Sequence, residues 1–138
     1  MFNEEAINNL IWHLMAVQNY CKDIHYNCKG DTFYSKHLLV DRVQENISEY
    51  IDNIKEIFFL AKGLVPRQSK FYLDETIVLI PPISKEDKKS FEQLQELILD
   101  TLQRIEEVNT TTKGESSLID SIGQDLQQSL GLINKQVY

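Results

Sequence analysis

The 138-residue chain is predicted to be all-α, a four-helix bundle forming one domain over residues 1–138. Three observations lead to that reading. Apolar residues recur at steps of three and four, the helical period, in four long blocks. Glycine and proline are few, five and three, and mark the ends of blocks at Gly30, Gly63 and Pro81-Pro82. A chain of this length supports one hydrophobic core and leaves little room for a second.

The first block carries Ile7, Leu10, Leu14, Val17, Cys21, Ile24 and Cys28 and stops before Gly30. The second carries Leu39, Val43, Ile47, Tyr50, Ile54, Ile57 and Ala61 up to Gly63, which predicts one continuous helix with Asp31 or Thr32 as its N-cap. The third opens at Ser84, with Asp87 three residues on, and runs through Phe91, Leu94, Ile98, Thr101, Ile105 and Val108. The polar run from Asn109 to Gly114 ends it. The fourth carries Leu118, Ile119, Ile122, Leu126, Leu130, Ile133 and Val137. Four amphipathic helices of roughly 22 to 30 residues each meet the requirements of a bundle.

The second and third blocks are joined by about 20 residues, Gly63 to Ile83, which are too apolar for a solvated loop. A connection of that length lets the chain return along the whole bundle, so the expectation is a ferritin-like four-helix bundle with a long crossover between helices 2 and 3. Pattern leaves the crossover open between helix and extended chain, because Thr76-Ile-Val-Leu-Ile80 is rich in β-branched residues.

Twenty-one acidic against 14 basic side chains give a net charge of -7, which disfavours nucleic acid, since phosphate contacts need a basic face or tail. No stretch reaches the 18 or so uninterrupted apolar residues of a membrane span, and the first residues lack a secretory pattern, so a cytoplasmic protein is expected. Cys21 and Cys28 would sit about 10 Å apart along one helix, beyond disulfide reach, and are expected to be reduced thiols.

The three histidines carry the chemistry. His25 ends the first helix, and His37 stands about one turn into the second. The second helix then offers His37-x-x-x-Asp41 and Asp52-x-x-x-Glu56, two pairs at the spacing that puts both side chains on one helix face. Imidazole with carboxylate suits iron, manganese or zinc. On a straight helix the two pairs lie about 60° apart in azimuth but about 22 Å apart along the axis, too far to share a metal within one chain. Two antiparallel copies related by a two-fold near residues 46 and 47 would bring them together, making two inter-subunit sites. Gly30 would let the chain reverse so that His25 joins the His37 side. The expected ligands are therefore His25, His37 and Asp41 from one chain with Asp52 and Glu56 from another. His13 has no carboxylate at helical spacing and is assigned to packing. The residues three before each histidine are Leu10, Lys22 and Tyr34, so the Glu-x-x-His pair of intra-subunit di-iron bundles is absent.

The stretch from His25 through Gly30, Phe33 and His37 to Asp41, Asp52 and Glu56 resembles the signature of the Dps family of miniferritins, over roughly residues 20 to 63. The resemblance implies a hollow dodecamer built from two-fold dimers. It implies binding of Fe(II) between subunits at His25, His37, Asp41, Asp52 and Glu56, and oxidation of that iron preferentially with hydrogen peroxide. Fe(III) would be stored inside, so the chain would be a ferroxidase that protects against oxidative damage. Tyr26 stands where the family has Trp. Acidic residues near the start of the fourth helix, Glu115, Asp120 and Asp125, are candidates for an iron entry pore to which none is assigned. DNA binding is not expected despite the family name, because no Lys- or Arg-rich extension is present. Twelve copies of -7 would give a shell of about -84, suited to attracting iron cations. The competing readings are a catalytically idle helical shell or interaction protein and, further behind, a DNA-compacting structural protein.

Overall fold

In a computed structural model, which describes residues 2–138, the chain is all-α, with no strand among the described residues. Its first helix, α1 (Glu4–Asn27), starts at Asn3, whose side chain accepts from the Ala6 N–H at 3.3 Å. Such a cap satisfies one of the N–H groups that a helix start leaves open. The apolar stripe from Ile7 to Ile24 is buried as its spacing predicts. Because α1 also buries Ile11, Ala16 and Tyr20, it is apolar over a wide arc and can take neighbours on several sides. It packs against α2 (Phe33–Gln44), α3 (Ile47–Phe58), α4 (Ser69–Leu79) and α5 (Asp87–Glu106). The last helix, α6 (Lys113–Val137), packs against α5, α3 and α2. Thus α1, α5, α6 and the α2–α3 pair close a four-sided arrangement around the core, and α4 lies on α1.

The expectation of one unbroken second helix is corrected. Helix α2 ends at Gln44 and α3 begins at Ile47, with Asn46 at φ −100° and ψ 0° between them. No glycine or proline causes the bend. Asn competes poorly in helix interiors, and Asn46 stands just before α3, although its side chain makes no cap bond there. Tertiary contacts hold the two halves: Tyr50 on α3 donates to Asp125 at 2.6 Å, while Arg42 on α2 lies 3.6 Å from the same carboxylate and donates to Ser129 at 2.8 Å. Both acceptors, Asp125 and Ser129, lie on α6. Thr32 occupies the N-cap position of α2 but makes no side-chain cap bond. After Phe58 the chain tightens into a 3₁₀ turn, Leu60–Lys62, that leaves Ala61 exposed, and Gly63 ends it at φ +73°. Only glycine adopts that left-handed conformation without steric cost.

The crossover is helical. Tyr72 and Thr76 of α4 are buried against α1, where the Tyr72 hydroxyl donates to Asn8 at 2.7 Å. Burial of one face outweighs the β propensity of the Thr76–Ile80 run, and Pro81-Pro82 follows where the helix stops. The opposite face of α4 exposes Leu73, Ile77 and Val78. Helix α5 starts at Asp87, three residues later than the pattern suggests, because Ser84 is engaged outside it: its hydroxyl accepts from the Glu86 N–H, and its own N–H donates to Ser90. Thr112 caps α6 by accepting from the Glu115 N–H at 3.1 Å. No helix among the described residues is long and apolar enough to cross a membrane.

Candidate metal centre

His25 lies in the last turn of α1, and His37 and Asp41 lie one turn apart on α2. The chain between them reverses at Gly30, whose φ of +90° is the conformation that side chains avoid. Asp87 pins this corner from the start of α5. Its carboxylate accepts from the Lys29 N–H at 3.0 Å and from the Lys36 ammonium at 2.8 Å. One residue of α5 therefore fixes both sides of the loop. Burial pushes the Asp87 carboxyl up, but the Lys29 N–H and the Lys36 charge outweigh it and hold the group below the usual carboxylate range.

The outcome is a close cluster. The His25 and His37 rings lie 3.7 Å apart between centroids at 32°, and one ligand atom from each of His25, His37 and Asp41 lies within 4.8 Å of the others. Asp41 Oδ1 is 2.7 Å from His25 Nδ1, yet that nitrogen makes no hydrogen bond. The contact is close but badly aligned, so it does not satisfy the ring nitrogen. His37 Nδ1 is likewise shielded from solvent without a partner. Buried polar atoms are nearly always paired, and a bound ion is one of the things that accounts for unpaired ones.

A metal ion fits the donors. Two atoms bound to one ion at about 2.1 Å lie roughly 3.0–3.4 Å apart at octahedral or tetrahedral angles, so closing this cluster on an ion requires its widest pair to approach by about 1.4 Å or more, a side-chain adjustment. Two imidazoles and a carboxylate are a donor set that Fe(II), Mn(II) and Zn(II) accept, and three ligands leave coordination positions open. Around the cluster, Phe33 lies 5.3 Å from the His37 ring, Tyr34 stacks on it at 6.3 Å and 17°, and Tyr26 meets His25 edge-on at 4.8 Å. Tyr26 is 80% exposed.

Asp52 and Glu56 are not part of this cluster. Both are exposed on α3, beyond the bend, and neither forms an ion pair or side-chain hydrogen bond among the described residues. The straight-helix relation between the two pairs is also corrected, since the break at Asn46 falls between Asp41 and Asp52.

His13 is buried, as a packing residue should be, and its ring is held from both ends. Nδ1 lies 2.7 Å from the Asn9 carbonyl and Nε2 lies 3.0 Å from Asp100 on α5. Of the three acidic residues near the start of α6, Glu115 is buried. It accepts from the Thr111 N–H at 2.9 Å and pairs with Lys62 at 3.1 Å. Burial pushes its carboxyl up, but those two partners dominate and hold it low. Asp125 is taken by Tyr50 and Arg42, and Asp120 alone is exposed without a partner among the described residues. Both cysteines are free and buried, and burial pushes each thiol up.

The sequence contains no local signal for Asp87 as the anchor of the corner, because it stands 58 residues from Lys29 and 51 from Lys36. Compared with known protein families and with curated proteins, the chain matches no family model and no curated protein.

Proposed function

We propose that the chain is the subunit of a Dps-like miniferritin cage, a ferritin-like four-helix bundle with α4 as the crossover. It binds Fe(II) at sites between subunits, oxidises it preferentially with hydrogen peroxide, and stores Fe(III) inside. The single observation that carries this reading is the His25–His37–Asp41 cluster with its two buried, unpartnered ring nitrogens. In this role the three residues hold Fe(II) as substrate. Asp52 and Glu56 of a second copy supply hard oxygen donors that favour Fe(III). Each peroxide takes one electron from each of two Fe(II) ions and, with two protons, leaves as two waters. The aromatic rings of Phe33 and Tyr34 lie beside His37. The apolar row Leu73, Ile77 and Val78 on α4 supports association, because contiguous exposed apolar surface of this kind marks interaction sites.

The test combines size and turnover. The particle is expected near twelve times 16.1 kDa in solution. Anaerobic Fe(II) loading followed by peroxide is expected to give rapid ferric absorbance in the wild type and at least tenfold slower formation in His37→Ala and Asp52→Ala. Equal rates in all three, or a monomer, would overturn the proposal and favour an idle helical protein.

A further inference from the structure

We infer that a second site, where the N-terminal end of α1 meets the start of α4, binds a small zwitterion of amino-acid size bearing an apolar or aromatic side chain. Glu4, Glu5, Asn8 and Trp12 of α1 and Arg67 and Phe71 beside them line a cavity of about 240 Å³ that shares no residue with the metal cluster. That volume is below the roughly 300–1,000 Å³ of pockets for drug-sized ligands, which limits the occupant to a small molecule.

One wall is built by a chain of hydrogen bonds. The Arg67 backbone N–H donates to the Tyr72 hydroxyl at 3.3 Å, and that hydroxyl donates to Asn8 Oδ1 at 2.7 Å. Asn8 is only 4% exposed, and its oxygen is thereby occupied. What it offers the cavity is its amide NH₂, which has no partner among the described residues. The amide nitrogen is not shut off from solvent, so a ligand acceptor takes the place of water there.

The charges are arranged for a ligand carrying both signs. Arg67 is held over the Phe71 ring, 4.0 Å from its centroid. Neither Arg67, Glu4 nor Glu5 forms an ion pair among the described residues, although all three line one small cavity. A guanidinium takes a carboxylate through two parallel N–H bonds, and with the Asn8 amide it makes the carboxylate end of the site. Glu4 and Glu5 accept from an ammonium group. Trp12, half-buried and edge-on to Phe71 at 5.8 Å, supplies the apolar wall for the ligand's side chain.

Trp12 is the only tryptophan in the chain, so indole emission reports on this cavity directly. L-phenylalanine added to the full-length protein, with excitation selective for indole, is expected to change the emission saturably at millimolar concentration. Phenylpropionate, which lacks the ammonium, and phenethylamine, which lacks the carboxylate, are expected to bind at least tenfold more weakly. Arg67→Gln and the double change Glu4→Gln, Glu5→Gln alter exposed side chains and preserve the fold, and each is expected to weaken L-phenylalanine at least tenfold. No saturable response, equal binding of phenylpropionate, or unchanged affinity in Arg67→Gln would each overturn the inference.

Discussion

Mixing two disabled chains gives the sharpest test of the proposed division of a metal site between subunits. His25, His37 and Asp41 lie together within one chain, whereas Asp52 and Glu56 stand exposed elsewhere on it. If a site takes the first set from one copy and the second from its two-fold mate, His37→Ala and Asp52→Ala damage different halves. In a mixed pair, one site receives both defects and the other receives none. Equal amounts of two chains pairing at random give half mixed pairs, each with one intact site of two. About one quarter of the wild-type sites should therefore return, although each mutant alone has none. The assay is ferric absorbance after peroxide for co-expressed chains carrying different tags, with the chain ratio measured in the purified particle. No recovery would mean that all ligands come from one chain. Recovery of about one half, with Asp52→Ala fully active by itself, would mean that the three-residue cluster works alone. Either result refutes the divided site.

Two further outcomes follow from the packing around the corner. The folded-state pKa of Asp87 lies below its unfolded value of about 3.9, so its contribution to stability is present above that pH and is lost as pH falls through the lower folded value. Asp87→Asn is expected to cost about 1–2 kcal/mol at pH 7, a fall in Tm of about 4–8 °C. Its Tm should also drop less between pH 5 and pH 3 than that of the wild type; parallel acid limbs would contradict the clamp. Both thiols are buried with raised pKa, so a disulfide reagent at pH 8 should label neither Cys21 nor Cys28 in the native protein and both after denaturation. Rapid native labelling of Cys28 would show that the corner opens.

Helix identity was legible in the sequence wherever one apolar stripe faced one core. Ile7 to Ile24 and Phe91 to Val108 are buried at the positions their spacing predicts, as are Ile119, Ile122, Leu126, Ile133 and Val137, while Leu118 and Leu130 are half-buried. The approach of His25 to His37 was legible too, because a glycine able to adopt φ +90° lies between two helices that must turn back on each other. Both are local properties: a period of 3.6 residues and a single backbone conformation. The bend at Asn46 was not legible, since the stripe from Leu39 to Ile57 runs across it without a change of step. Asp125 decides it, by binding Tyr50 from one half and Arg42 from the other. In the same way, burial on α1 made the β-branched crossover a helix, Asp100 from α5 completed the surroundings of His13, and Asp87 locked the corner between His25 and His37. Each depends on residues 50 or more positions apart along the chain whose contact is created only by helix packing. The sequence alone determined which segments coil and which face of each is apolar. Tertiary structure decided where a helix bends and which polar groups meet, because a periodic pattern specifies a face but not the polar partners that face will find.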